Sequence, residues 1–152
     1  ATEVNNTAVG FFAGQAMTTG VQNTLVGSMA GADLTDADQN VAIGNIALDA
    51  DTKGNQSVAI GVNALGAQNF TTSTNTGNVA VGRGAGEAVT TGIQNALIGA
   101  YVGDALTDAD FNVAIGYNAL SADTKGNQTI AIGHSALQTQ NFTSSTKYSN
   151  RT

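Results

Sequence analysis

The sequence predicts an all-β chain, a parallel β-solenoid built of eight short coils. Three observations carry this expectation. A five-residue word ending in Gly recurs eight times, and its glycines stand 17, 17, 17, 21, 17, 17 and 17 residues apart. The word's core is Val- and Ile-rich, and β-branched residues disfavour helix and suit strands. A unit of this length is too short for two helices and their connection, but it holds short strands and turns comfortably.

The words run in order as Asn6-Thr7-Ala8-Val9-Gly10, Asn23-Thr24-Leu25-Val26-Gly27, Asn40-Val41-Ala42-Ile43-Gly44 and Ser57-Val58-Ala59-Ile60-Gly61. They return as Asn78-Val79-Ala80-Val81-Gly82, Asn95-Ala96-Leu97-Ile98-Gly99, Asn112-Val113-Ala114-Ile115-Gly116 and Thr129-Ile130-Ala131-Ile132-Gly133. Residues 6–77 and 78–149 agree at about 45 of 72 positions, so the units form two blocks of four. Coils stacked about 4.8 Å apart would make a narrow rod roughly 35–40 Å long. Residues 1–5 read as a lead-in, 6–77 as the first block, 78–146 as the second, and 147–152 as a cap or the start of a further fibre segment. The start at Ala1, without Met, reads as a processed chain or a fragment.

Stacked repeats give every position a column. Val9, Val26, Ile43, Ile60, Val81, Ile98, Ile115 and Ile132 are expected to stack inside the roll as its core. On that reading Ile60→Ala or Ile115→Ala costs on the order of 2–4 kcal/mol. Three places after each Gly stands Ala, or Val102, where only a small residue fits. One place further, Gly14, Gly31, Gly86 and Gly103 alternate with Leu48, Leu65, Leu120 and Leu137. The glycines are expected to allow close approach between chains. The leucines are expected to lie half exposed in a monomer and invite association. Thr18, Thr35, Thr52, Thr90, Thr107 and Thr124, with Asn69 and Asn141, should form one ladder, and the motif asparagines another. The four extra residues of the 21-residue step fall within 69–77 and should bulge as one longer loop.

Composition excludes several functions. No Cys and a single His, His134, leave no Cys-based zinc site and little for a histidine metal centre or a Ser-His-Asp triad. A net charge of −6 offers no basic patch for nucleic acid, and no apolar run is long enough to insert in a membrane. No cofactor is implied. Asp33, Asp36 and Asp38, with Asp104, Asp108 and Asp110 in the matching turn, are the candidate Ca²⁺ ligands, though solvated turns explain them as well. As a glycosidase pair these carboxylates would need a pocket, and catalytic acids are rarely duplicated 72 residues apart. Gly82-Arg83-Gly84-Ala85-Gly86 looks like a phosphate loop, but the repeat already explains its glycines. Ice binding is the alternative of another class, since solenoids with Thr columns can do it; here the column is broken by Asn69 and Asn141.

The words Ser57-Val58-Ala59-Ile60-Gly61-Val62-Asn63-Ala64 and Asn112-Val113-Ala114-Ile115-Gly116-Tyr117-Asn118-Ala119 resemble the head repeat of trimeric autotransporter adhesins. The connection Thr91-Gly92-Ile93-Gln94-Asn95 is similar to repeats of phage tail-fibre shafts. The resemblance implies a left-handed β-roll packed as a homotrimer, outside the cell on a virion fibre or a bacterial surface. It also implies attachment to a host-surface glycan or protein receptor. The expected function is a non-enzymatic fibre segment that mediates or spaces attachment, phage-like first, with a bacterial adhesin head as the alternative. The two places after each motif Gly break the repeat, so the partner is expected there: Phe11, Phe12, Arg83, Tyr101, Tyr117 and His134.

Overall fold

A computed structural model describes residues 4–144. The expected cap at 147–152 lies outside the described residues. Within them the chain is all-β, without a helix, and its strands stack as a parallel β-solenoid. Eight three-residue strands make one continuous sheet: β1 (Thr7–Val9), β2 (Thr24–Val26), β3 (Val41–Ile43), β5 (Val58–Ile60), β7 (Val79–Val81), β8 (Ala96–Ile98), β9 (Val113–Ile115) and β10 (Ile130–Ile132). A second, two-stranded sheet pairs β4 (Gly54–Asn55) with β6 (Thr74–Asn75). Each motif word is a strand, and the words pair residue for residue, as in Val41↔Val58 and Ile43↔Ile60. The pair β5–β7 crosses the boundary between the two 72-residue blocks, so the sheet runs through both.

The motif Gly ends each strand. At Gly61 φ is +134°, and a Cβ there would run into the carbonyl of Gly82 on the next coil. Glycine is required at this place by both the backbone and the coil spacing. The rest of each coil is also hydrogen-bonded to its neighbour, for example Gly31 N–H to Ala47 O at 2.9 Å and Thr35 N–H to Thr52 O at 3.0 Å.

The interior overturns the expected core column. Side chains alternate across a strand. The middle residue faces inward, so Leu25, Ala42, Ala59, Ala80, Leu97, Ala114 and Ala131 are buried. The flanking Val or Ile therefore faces outward. Val9 is 58 %, Ile43 37 %, Ile98 42 %, Ile115 37 % and Ile132 65 % exposed, while Val26, Ile60 and Val81 are half-buried. Because each coil is thin, the inward strand position holds Ala, or Leu where glycines line the opposite wall. The expected Ile60 and Ile115 cavity costs do not apply to outward-facing side chains.

The Gly/Leu column is corrected as well. Leu48, Leu65 and Leu120 are fully buried, not half exposed, and only Leu137, on the last coil, is partly exposed as expected. The glycines face inward too, not toward another chain: a Cβ at Gly31 would meet Leu34 Cδ1 at 2.7 Å and Leu25 Cδ2 at 2.9 Å. Where the strand contributes Leu25 or Leu97, the opposite wall is Gly14 and Gly31, or Gly86 and Gly103. Where the strand contributes Ala42, Ala59 or Ala114, the opposite wall is Leu48, Leu65 or Leu120. Where one coil pairs Ala80 with Gly86, Leu97 and Leu65 of the neighbouring coils fill the space, so core volume is balanced across adjacent coils, as a close-packed interior demands.

The expected loop is present but partly tied down. Phe70 is buried and its N–H bonds Asp51 at 3.0 Å, while Thr71, Thr72 and Ser73 are exposed before β6 rejoins β4.

Candidate interaction surfaces

Two long ladders of polar side chains are consumed by the rod itself. Each motif Asn uses both ends of its amide. Asn23 Oδ1 accepts the Asn40 N–H at 2.9 Å, while Asn40 Nδ2 donates to Gly54 O at 2.9 Å. The same pattern recurs in the second block, where Asn112 Nδ2 donates to Gly126 O at 2.8 Å. The Thr hydroxyls are spent likewise: Thr18 donates to Thr35 O at 3.1 Å, Thr35 to Thr52 O at 3.0 Å and Thr107 to Thr124 O at 3.0 Å. An ice-binding surface needs those hydroxyls turned to solvent in a flat array; here they stitch one coil to the next.

The carboxylates proposed for Ca²⁺ are divided among different tasks. Asp38 and Asp110 each accept a backbone N–H, from Val21 and Ile93, both at 2.8 Å. Asp36 pairs with Lys53 at 3.5 Å and Asp108 with Lys125 at 3.6 Å. The Thr35 hydroxyl, and more weakly Lys53, hold the Asp36 carboxyl below the usual Asp range. Asp33 sits exposed beside Asp49, and Asp104 stands next to Glu87. Among the described residues, no group of three or more His, Cys, Asp or Glu converges so as to hold a metal ion.

Asp104 carries a strain that can be measured. Its Oδ1 is buried without a hydrogen-bond partner. Burial first, and the neighbouring Glu87 charge second, raise its carboxyl above the usual value. A raised folded-state pKa means the folded state holds the proton more tightly, so the penalty is full above that pKa and fades as pH falls through it. Asp104→Asn is therefore expected to raise the melting temperature by a few degrees at pH 7, with the advantage shrinking towards pH 3. A constant gap between variant and wild type across that range in thermal scans would contradict the assignment.

Four of the six side chains expected at the receptor edge come together. The Arg83 guanidinium carbon lies 5.5 Å from the centre of the Tyr101 ring. Tyr101 and Tyr117 meet edge to face with centroids 6.2 Å apart, and Tyr117 stacks on His134 at 5.4 Å. These residues sit on four successive coils, at one corner of the main sheet: Arg83, Tyr117 and His134 directly follow Gly82, Gly116 and Gly133, and Tyr101 is the second residue after Gly99. Phe11 and Phe12 form a separate pair on the first coil, with centroids 3.8 Å apart, and do not join the ladder. The corner exists because the second residue after each Gly turns into the left-handed region, as Tyr101 does at φ +53° and Asn118 at φ +53°. That turn throws both side chains outward.

The surface that sequence reasoning missed is the outer face of the eight-stranded sheet. Its two columns are Thr7, Thr24, Val41, Val58, Val79, Ala96, Val113 and Ile130, and the Val/Ile column from Val9 to Ile132. Apart from the two threonines it is apolar from end to end, and it carries no charge. The signal was present: six alanines among the eight middle residues mark the side where space is short.

No protein family, curated protein or solved structure matches the chain.

Proposed function

We propose that this chain is a non-enzymatic segment of a trimeric attachment fibre, in which three copies pack side by side through the Val/Ile face. The observation that carries the proposal is that face. A three-residue strand with its side chains covers a strip about 10 Å wide, and eight strands extend it to about 34 Å. That is on the order of 340 Å², the size of the largest apolar patch on an ordinary monomer, which is often functional; packing of chains would centre on it and extend to the polar columns beside it. A second copy of the same rod fits it, because identical coils at identical spacing present matching columns along the whole length. The repeat resemblance supports closure as a trimer and exposure outside the cell, on a virion fibre or a bacterial surface. The ladder of bonded carboxylates and amides supports a rod built for stiffness, with Asp38 and Asp110 bonded to the backbone and Asp36 and Asp108 paired with Lys53 and Lys125.

The test is a mass measurement in solution. The wild type is expected at three times the 15.2 kDa chain mass at micromolar concentration. Ile43→Asp combined with Ile115→Asp should dissociate it while circular dichroism keeps the β signature, because both new carboxylates point into solvent in the single chain. A monomeric wild type would overturn the proposal.

A further inference from the structure

The corner ladder admits a more specific reading, which rests on the fibre function above. We infer that Arg83, Tyr101, Tyr117 and His134 form a binding strip for a short acidic oligosaccharide, one whose sugar rings carry carboxylates. The first ground is charge. The chain has 11 acidic residues against 5 Lys and Arg. No Asp or Glu occupies either place after the motif Gly in any coil. None of the strip's own positions is acidic on an acidic rod; a cation stands at one end, the single His at the other, and Glu87 reaches its base beside Gly84. Lys53 and Lys125 are ion-paired, whereas Arg83 has no carboxylate partner among the described residues and is exposed. Its cation–π contact with Tyr101 sets the guanidinium beside the ring and leaves its N–H donors for a carboxylate.

The second ground is the ring geometry. Arg83 lies over Tyr101, and Tyr101 also packs on Gly84, where a Cβ would stand 3.1 Å from the ring. Tyr117 meets Tyr101 edge to face and stacks on His134, yet it is 48 % exposed, so the accessible ring surface of the strip is that of Tyr117. An open aromatic face beside a fixed cation suits a sugar, which offers an apolar C–H face and a charged substituent together.

The third ground is size. From Arg83 to His134 the strip spans three coil steps, about 14 Å, and is one side chain wide. A protein partner needs roughly 800 Å² on each side, far more than this ridge supplies, while a trisaccharide is covered by it. Glu87 is the nearest competitor for Arg83: its Oε2 lies 3.1 Å from where a Cβ on Gly84 would stand.

Trigalacturonate and its neutral methyl ester are suitable probes, titrated calorimetrically into the full chain at low salt. Trigalacturonate is expected to bind with millimolar or tighter affinity, and the ester at least tenfold more weakly. Arg83→Gln should cost at least tenfold, with Arg83→Lys recovering part of the loss. Glu87→Gln should tighten binding. The pair Tyr101→Ser and Tyr117→Ser should abolish it while the melting temperature stays within a few degrees. Phe11→Ser, on the first coil, should change nothing. Equal binding of acid and ester, wild-type affinity in Arg83→Gln, or no binding at millimolar trigalacturonate would overturn the inference. Triglutamate binding as tightly as trigalacturonate would overturn the sugar assignment and leave bare carboxylate capture. A trimeric chain that ignores trigalacturonate refutes the strip alone; a monomeric chain that binds it refutes the fibre reading alone.

Discussion

Leu97→Ala should destabilise the chain by about 3–5 kcal/mol, the range for a fully buried leucine whose site cannot collapse. Leu97 is 1 % exposed, and its two methyl groups lie over Gly86 and Gly103, at 2.7 and 3.0 Å from where their Cβ atoms would be. Both walls of the cavity are backbone held in register by coil-to-coil hydrogen bonds, such as Gly103 N–H to Ala119 O at 2.9 Å. They cannot move inward without breaking that ladder. Gly103→Leu in the wild type should also destabilise, because its Cβ meets Leu106 Cδ1 at 2.8 Å as well as Leu97. Combined with Leu97→Ala it should be tolerated better, with a coupling of about 1 kcal/mol or more in a double-mutant cycle. Chemical denaturation of the four proteins measures this. Additive losses would show that the two positions do not share one volume.

The second large effect is expected at Asp51. Its carboxylate is fully buried. Oδ1 accepts N–H groups from Gly54 at 3.1 Å and Phe70 at 3.0 Å, and Oδ2 accepts from Gln68 Nε2. Gln68 extends the network to Ser57 and, through its carbonyl, to Asn78 Nδ2 at 2.9 Å. Asp51→Ala leaves several donors buried without acceptors, at about 1–3 kcal/mol each before relaxation. A total of about 3–5 kcal/mol is expected, and the loop at 70–76 should exchange its amide hydrogens faster. Asp51→Asn keeps the size and one acceptor, so it should cost less. The second block repeats the arrangement at Asp123, which accepts from Gly126, Phe142 and Gln140. Asp123 makes the same bonds, so Asp123→Ala should be of similar size. Unchanged stability in Asp51→Ala would refute the network's role.

These two sites explain the 72-residue repeat physically. The column seven places after the motif Gly reads Met17, Leu34, Asp51 and Gln68, then Val89, Leu106, Asp123 and Gln140. The first two coils of each block are filled by hydrocarbon, the next two by a bonded carboxylate and amide. The polar pair sits where the chain leaves its 17-residue period and the loop amides need an acceptor, as Phe70 and Phe142 do.

The strand positions, the pairing register and the longer loop were legible in the sequence, because the words repeat at a constant spacing and stacked coils must align like with like. The cluster of Arg83, Tyr101, Tyr117 and His134 was partly legible, since irregular positions in a regular array are freed from stacking. That these four side chains would meet across successive coils was not, because it depends on the direction each takes out of its turn.

By itself the sequence pointed to a β-solenoid, since an eight-fold word of β-branched residues closed by Gly, at a 17-residue spacing in every step but one, lets each strand pair with its copy in the next coil. Only the tertiary structure decided which side of each strand is the inside. Periodicity reports that Val and Ile alternate with Ala, but not which set is enclosed. The answer came from volume: a coil this thin encloses Ala42 or Leu97 with its matching glycines, and Ile43 and Ile98 are left on the surface.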